Sequence, residues 1–173
     1  MTTTALQTQQ EAQEVHQEGQ EAGEGRSRRA ARVALSEENV QIARQLGEAL
    51  RQGLEHDDPG AMFDSDLLAD DWEWVVPTGF EGRSVWRGRR EYVEFLRTWM
   101  SEFEEYSIEF EELIDAGDDR VVVIYRQRGT GKGSGAPVEW LGGLISELRH
   151  GRVIRTTAYF YPADALEAAG LSE

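Results

Sequence analysis

The chain has 173 residues, enough for one ordinary domain with a sizeable core and too few for two. Its formal net charge is −15, and because residues 1–35 hold five Glu against four Arg, −14 of that charge falls on the rest. A domain that acidic repels phosphate backbones, which argues against nucleic acid as a partner.

The composition also bears on the cellular compartment. No run of roughly 18 apolar residues occurs, and the first residues lack the basic region and apolar stretch of a signal peptide. We therefore expect no membrane partner and a cytoplasmic location. Cysteine is absent, which excludes disulfides, a thiol nucleophile and a thiolate metal site, and fits a reducing compartment.

Residues 1–35 are rich in Gln, Glu, Ala and Gly and hold almost no large apolar side chains. Such a segment buries too little surface to offset the entropy of ordering, so we expect a disordered N-terminal tail before a folded domain over 36–173. The Glu/Gln/Ala stretch could become helical against a partner. A basic cluster could dock on an acidic surface or belong to a solvated linker; it consists of Arg26, Arg28, Arg29 and Arg32.

The folded part opens with helical signals. The Ser-Glu-Glu run at 36–38 is typical of a helix N-cap with acid in the first turn, and apolar residues follow at helical spacing until Gly53. Pro59 is well placed to open a second short helix.

A strand and a third helix come next. The strand is predicted over 72–76 and is closed by Pro77, after which the Gly-rich segment 79–88 reads as a loop. A helix over about 89–102 carries its apolar residues on one stripe.

From residue 106 the apolar residues alternate with polar ones, which is strand spacing. Three further apolar segments, 120–127, 138–148 and 152–160, are separated by turn-forming residues, so the strands are predicted to form an antiparallel meander. A short helix over 163–169 ends at Gly170. Helices followed by hairpins indicate an α+β domain whose helices cover one face of a curved sheet.

Six segments stand in a characteristic order: 36–40, Trp72-Glu73-Trp74, 86–89, 114–118, 129–138 and 165–171. In order and spacing they resemble bacterial SnoaL-like proteins of the nuclear transport factor 2-like (ketosteroid isomerase-like) superfamily, over about residues 36–172. The resemblance implies a cystatin-like, cone-shaped α+β domain, with N-terminal helices on a strongly curved antiparallel sheet, a pocket between them and a homodimer through the sheet. The same architecture hosts isomerases, cyclases, dehydratases, epoxide hydrolases and binding modules, so it leaves the chemistry open.

The last long strand bears on catalysis. Thr156, Ala158 and Phe160 share its less charged face, which is expected to face the helices and line the pocket. Polyketide cyclases of the superfamily resemble the stretch 151–158 but carry a His and an Asp two residues apart, where this chain has Thr156 and Ala158. Acid/base chemistry by that route is therefore not expected.

The three histidines do not replace that pair, since His16 lies in the tail, His56 in an acidic loop and His150 in a turn. A steroid-isomerase-type site needs a Tyr and a buried carboxyl group.

The catalytic candidates are therefore Glu139 with Tyr125 or Tyr92, and Glu73 and Asp115 are further carboxylates near plausible pocket walls. Strand parity leaves open that Glu139 looks outward.

Motifs for cofactors and metals are incomplete. The segment 129–134 imitates a phosphate loop, but Gly133 stands where Ser or Thr should hold magnesium, and no glycine opens the pattern at Arg126. The segment 131–136 fits a loose dinucleotide-binding pattern, but a strand follows it in place of a helix. The acidic pairs at 57–71 lack the spacing of a calcium loop. We expect no cofactor and no metal.

Aromatic residues on separate elements predict a cavity wall, namely Trp74, Trp99, Trp140 and Phe160. Such residues pack in cores, yet in this fold the core and the pocket are continuous. Gly142-Gly143 would bend the sheet or admit a ligand against bare backbone. Gly47, where relatives tend to have an aromatic residue, indicates close packing or space for a ligand.

The leading hypothesis is a homodimeric small-molecule-binding or accessory domain without a complete catalytic set. Its ligand is a small hydrophobic molecule held in an aromatic-lined pocket by Trp74, Trp99, Trp140, Thr156, Ala158 and Phe160. One alternative is an isomerase, cyclase or dehydratase acting on a hydrophobic polyketide- or steroid-like substrate. Another is an oligomerising scaffold whose tail recruits a partner.

Overall fold

The computed structural model describes the backbone of residues 3–171 and the side chains of residues 29–171. The chain divides into two compact units, Met1–Leu35 and Ser36–Glu173. That the first of these units is a separate tail, and the second one folded domain, stays a prediction.

Helix α1 runs over Thr3–Glu55 and therefore begins far ahead of the predicted start. Ser36 lies inside this helix and is not an N-cap, because Glu, Gln and Ala are strong helix formers even where they bury nothing. Side chains 29–35 are all exposed, whereas those of His16, Arg26 and Arg28 lie outside the described residues. The segment 3–35 is thus helical here, and its disorder in solution stays a prediction.

Within the described residues, six strands form one sheet in the order β2-β1-β6-β5-β4-β3. Their bounds are β1 Leu68–Phe80, β2 Arg83–Arg87, β3 Phe103–Gly117, β4 Arg120–Gly131, β5 Pro137–Arg149 and β6 Arg152–Tyr159. The predicted meander is confirmed, since β3, β4, β5 and β6 pair antiparallel in sequence order. Strands β1 and β6 are parallel, which the sequence did not predict.

Both faces of the sheet are covered by helices. Residues of α1 from Ile42 onward and of α2, Gly88–Met100, form one apolar cluster with Val121 and Val123 on the inner face. Helix α3, Pro162–Ala169, covers Val122 on the outer face. The run of buried residues along β4 follows from this two-sided packing, and the unit 36–173 has the α+β cone fold.

Three local predictions are corrected. Pro59 opens no α-helix, and a 3-10 turn, Ala61–Asp64, stands there instead. Strand β1 continues past Pro77. Its pairing with β2 is irregular between Val75 and Phe80, so the proline, which has no N–H, removes no hydrogen bond from the sheet there. The segment read as a loop contains β2, which makes a hairpin with β1.

Candidate functional site

A cavity of about 110 Å³ lies between the inner face of the sheet and helices α1 and α2. Five strands and both helices contribute to its wall, and every lining residue belongs to the unit 36–173. The site is therefore the enlarged centre of the domain's own core.

All six residues predicted for the pocket lie on this one wall, namely Trp74, Trp99, Trp140, Thr156, Ala158 and Phe160. Thr156 is buried, whereas Phe160 is 41% exposed and lies at the end of the strand. The structure brings these residues together, and their contact with a ligand stays a prediction.

Aromatic rings form a continuous layer along the cavity. The ring centroid of Trp74 lies 5.2 Å from that of Tyr92 and 6.0 Å from that of Phe95. Trp99 meets Trp140 edge to face, with centroids 5.6 Å apart and planes at 83°. Tilted and edge-to-face pairs of this kind favour a fixed arrangement of rings, so the wall is defined before any ligand binds.

Two of the indole groups have hydrogen-bond partners inside the domain. Trp72 Nε1 donates to Thr156 Oγ1 at 3.2 Å, and Trp99 Nε1 donates to Gln127 Oε1 at 3.3 Å. Trp74 Nε1 is buried without a partner, the one such side-chain nitrogen or oxygen found among the described residues. Buried polar groups are normally paired, so this donor is an exception in an apolar wall.

Four tyrosines add hydroxyl groups to the wall, namely Tyr92, Tyr106, Tyr125 and Tyr159. Burial raises the pKa of Tyr125 to about 12 and also raises the pKa of Tyr92 and of Tyr106. These hydroxyls therefore keep their protons at neutral pH and are poor bases. Among the described residues the cavity lining contains no Asp, Glu, His, Lys or Arg.

The catalytic role considered for Glu139 is wrong, because this side chain points away from the cavity. Its carboxylate is half exposed on the outer face of the sheet, where it accepts hydrogen bonds from Arg126 and Arg128. These hydrogen bonds lower the pKa of Glu139, and the bond from Arg128 has the largest effect. A general acid needs a raised pKa.

The other two carboxylates are engaged elsewhere. Glu73 is bound by Arg155 and Arg87, and the hydrogen bond from Arg155 is the main cause that lowers its pKa. Asp115 is exposed and accepts a hydrogen bond from the backbone N–H of Gly117. Tyr125 and Tyr92 do line the cavity, but no carboxylate accompanies them there in the described part of the chain.

The bare backbone predicted at the paired glycines is covered by the protein itself. A Cβ on Gly142 would lie 2.4 Å from the hydroxyl oxygen of Tyr125, and one on Gly143 would lie 2.5 Å from the Cβ of Ala165. Gly47 faces the ring of Phe110, 3.1 Å from where a Cβ would be, which bears out close packing.

A family model described as a SnoaL-like domain matches residues 48–156, which contain β1–β5 and most of the cavity wall. The chain belongs to the SnoaL-like domain family. A search of curated protein sequences finds no match.

Solved structures share this SnoaL-like fold. TerC, co-crystallised with polyporic acid, is 20% identical, covers 77% of this chain and 98% of its own, and superimposes with a TM-score of 0.58. A protein with a ketosteroid isomerase-like fold from Catenulispora acidiphila, in complex with trimethylamine, is 19% identical, with coverages of 73% and 93% and a TM-score of 0.55. A SnoaL-like polyketide cyclase from Jannaschia sp. is 16% identical, with coverages of 79% and 94% and a TM-score of 0.57. At these identities the likeness establishes the fold.

Two further features are absent from the described residues of the SnoaL-like chain. No helix in the described residues is long and apolar enough to cross a membrane. No group of three or more His, Cys, Asp or Glu suited to a metal ion is found in the same part of the chain.

Several wall residues of the SnoaL-like domain were not predicted from the sequence. Gln127 points to the same side of its strand as Val123 and Tyr125, and it pairs with Trp140. Its position at the end of a buried apolar run could have indicated that its amide lines the cavity. Tyr106 was recognised as the start of an alternating strand, but parity alone does not tell which face is inner. Phe95, which also lines the cavity, lies on the helix whose apolar stripe was predicted.

Proposed function

We propose that the SnoaL-like domain binds a small, uncharged, largely aromatic molecule in its cavity and performs no acid/base catalysis there. The observation that carries the proposal is the chemistry of the wall, which is aromatic and aliphatic with a few hydroxyl, amide and indole groups. Apolar pockets with a small number of placed polar groups are typical of small-molecule sites.

The missing charges define the ligand class. Burying an ion without a partner costs several kcal/mol or more, and the described lining residues offer none of opposite sign. An uncharged ligand loses much less hydration free energy on entering the cavity, and the burial of its apolar surface favours binding. Positions Thr156 and Ala158, where cyclases of the superfamily carry their acid/base pair, stand on this wall with no ionisable side chain.

The volume limits the size of the ligand. A cavity of about 110 Å³ is below the roughly 300–1,000 Å³ of drug-sized sites. An apolar cavity of about 150 Å³ accepts benzene. The cavity of this domain is somewhat smaller than that, so we propose a ligand with no more than one aromatic ring, and a polycyclic ligand would require the wall to move. The small molecules bound to TerC and to the Catenulispora acidiphila protein support binding as a use of this fold.

Calorimetric titration with toluene, anisole and phenol tests the proposal. We expect saturable binding with a negative heat-capacity change, the mark of apolar burial. In the variant Ala158→Leu the new side chain occupies part of the cavity and should abolish binding, whereas Ala168→Leu, an exposed position of α3, should bind like the native protein. Absence of binding by the whole panel, or equal binding by both variants, would contradict the proposal.

The homodimer implied by the family resemblance is also part of the proposal. Size-exclusion chromatography coupled to light scattering is expected to give a mass twice that of one chain, which is 19.5 kDa. A single-chain mass at all concentrations would rule the dimer out without affecting the cavity.

A further inference from the structure

The indole N–H of Trp74 is the feature of the cavity that the apolar wall does not explain. Trp74 lines the cavity, and its Nε1 is buried without a hydrogen-bond partner. A buried donor left unpaired costs free energy, so a native structure that keeps one calls for a physical reason.

Two side-chain oxygens of the wall accept hydrogen bonds from the other two indoles and none from Trp74. Trp74 pairs across the sheet with Thr156, but the Thr156 hydroxyl accepts the hydrogen bond of Trp72. The side-chain oxygen of Gln127 accepts that of Trp99. The rings of Trp72, Tyr92 and Phe95 pack against the indole of Trp74, and Nε1 donates a hydrogen bond to none of these residues.

We propose that Trp74 Nε1 is the hydrogen-bond donor that holds an oxygen acceptor of the ligand, so that the natural ligand is an aromatic ketone, aldehyde, quinone or ether. This inference rests on the proposed function and gives the ligand an orientation, with its oxygen towards β1. An uncharged carbonyl satisfies the donor and introduces no ion into a wall that has no counter-charge among the described residues.

The tyrosines of the wall are consistent with an acceptor on the ligand. Burial keeps the hydroxyls of Tyr92 and Tyr125 protonated, so they too can donate. A ligand that carried a donor in the same place would face the N–H of Trp74 and leave both groups unpaired.

Acetophenone and α-methylstyrene make a matched pair of probes, since they have the same skeleton and differ by a carbonyl oxygen in place of a methylene group. Titrations are compared in the native chain, in Trp74→Phe and in the control Trp86→Phe, because Trp86 is outside the cavity lining. We expect Trp74→Phe to weaken acetophenone by about five- to tenfold and to leave α-methylstyrene within about twofold. The control should change neither affinity.

Indole resonances of the ¹⁵N-labelled chain give a second readout. The signal that disappears in Trp74→Phe identifies the Trp74 N–H, and acetophenone should move it to higher proton shift while α-methylstyrene moves it much less.

Equal weakening of both probes by Trp74→Phe would mean that the ring acts by packing alone, and would overturn this inference while leaving the proposed function intact. Unchanged acetophenone affinity would overturn it in the same way. Failure of both probes to bind the native chain would refute the proposed function, and with it the donor role of Trp74.

Discussion

The ring of Tyr125 lies across the backbone of Gly142, so close that a Cβ at Gly142 would stand 2.4 Å from the tyrosine hydroxyl. The two residues are register partners on β4 and β5. The next residue, Gly143, makes room in the same way for Ala165 of α3 on the opposite face. Two consecutive glycines thus leave room for the Tyr125 ring on the cavity side of the sheet and for helix α3 on the other side.

Gly142→Ala should destabilise the domain and also weaken ligand binding. Because the added methyl group pushes the Tyr125 ring into the cavity, we expect a loss of about 1–3 kcal/mol in the free energy of unfolding by urea. Gly143→Ala is the matched control, with a comparable loss of stability and unchanged ligand affinity. Equal weakening of binding by both variants would show that the cavity responds to general loosening and not to Tyr125.

Alkaline pH should destabilise the domain through its buried tyrosines. The pKa of Tyr125 rises from 10.0 to about 12 on folding, so the unfolded chain releases this proton first and stability is lost as the pH rises through that window. The full effect of Tyr125 is about 2–3 kcal/mol, at about 1.4 kcal/mol per unit. Urea denaturation at a series of pH values should show a shallower fall for Tyr125→Phe. Tyr161→Phe, at an exposed position, should follow the native curve, and a Tyr125→Phe curve as steep as native would contradict the account.

Thr156→Val should destabilise the domain because Trp72, which is fully buried, loses the acceptor of its indole N–H. We expect the free energy of unfolding, measured by thermal or urea denaturation, to fall by about 1–3 kcal/mol, the cost of an unpaired buried donor. Thr157→Val makes the same change on the opposite face of β6 and should have a smaller effect. The reverse order of the two variants would exclude the Trp72–Thr156 bond as a stabilising interaction.

Removal of residues 1–35 should leave the domain folded. The described side chains of this segment, 29–35, are exposed, and the segment forms a unit of its own. The truncated chain should therefore keep its melting temperature within a few degrees and its ligand affinity unchanged, by thermal denaturation and calorimetry. A large fall would show that the segment stabilises the domain, and loss of a cellular partner with the fold intact would favour the scaffold alternative.

The strands were predictable because each is either an alternation of apolar and polar residues or a continuous apolar run, and because turn-forming residues mark its ends. β4 illustrates this, since its buried residues serve clusters on both faces. The hairpin partner β2 was not predictable, because its glycine-rich flanks are also typical of loops. The start of α1 does not follow from hydrophobic burial, because Glu, Gln and Ala form helix locally even where they bury nothing.

The site was predictable in part for a similar reason. Trp74, Trp140 and Thr156 follow from strand parity once the inner face is assumed. The orientation of Glu139 could not be decided from parity, because both faces of this sheet carry apolar residues. The unpaired state of Trp74 Nε1 depends on Trp72 engaging the Thr156 hydroxyl, a contact between residues 84 positions apart.

The dependence of ligand affinity on pH reports, in one experiment, whether the cavity binds a ligand and whether any group of its wall ionises. The affinity of toluene is measured by calorimetry between about pH 5 and pH 9, where His, a shifted carboxyl group or a coupled pair would titrate. We expect measurable binding with a flat profile, since no group in the described lining ionises in that range. No binding at any pH would rule out a ligand site in this cavity, and a sloped or bell-shaped profile would show an ionisable group in its wall.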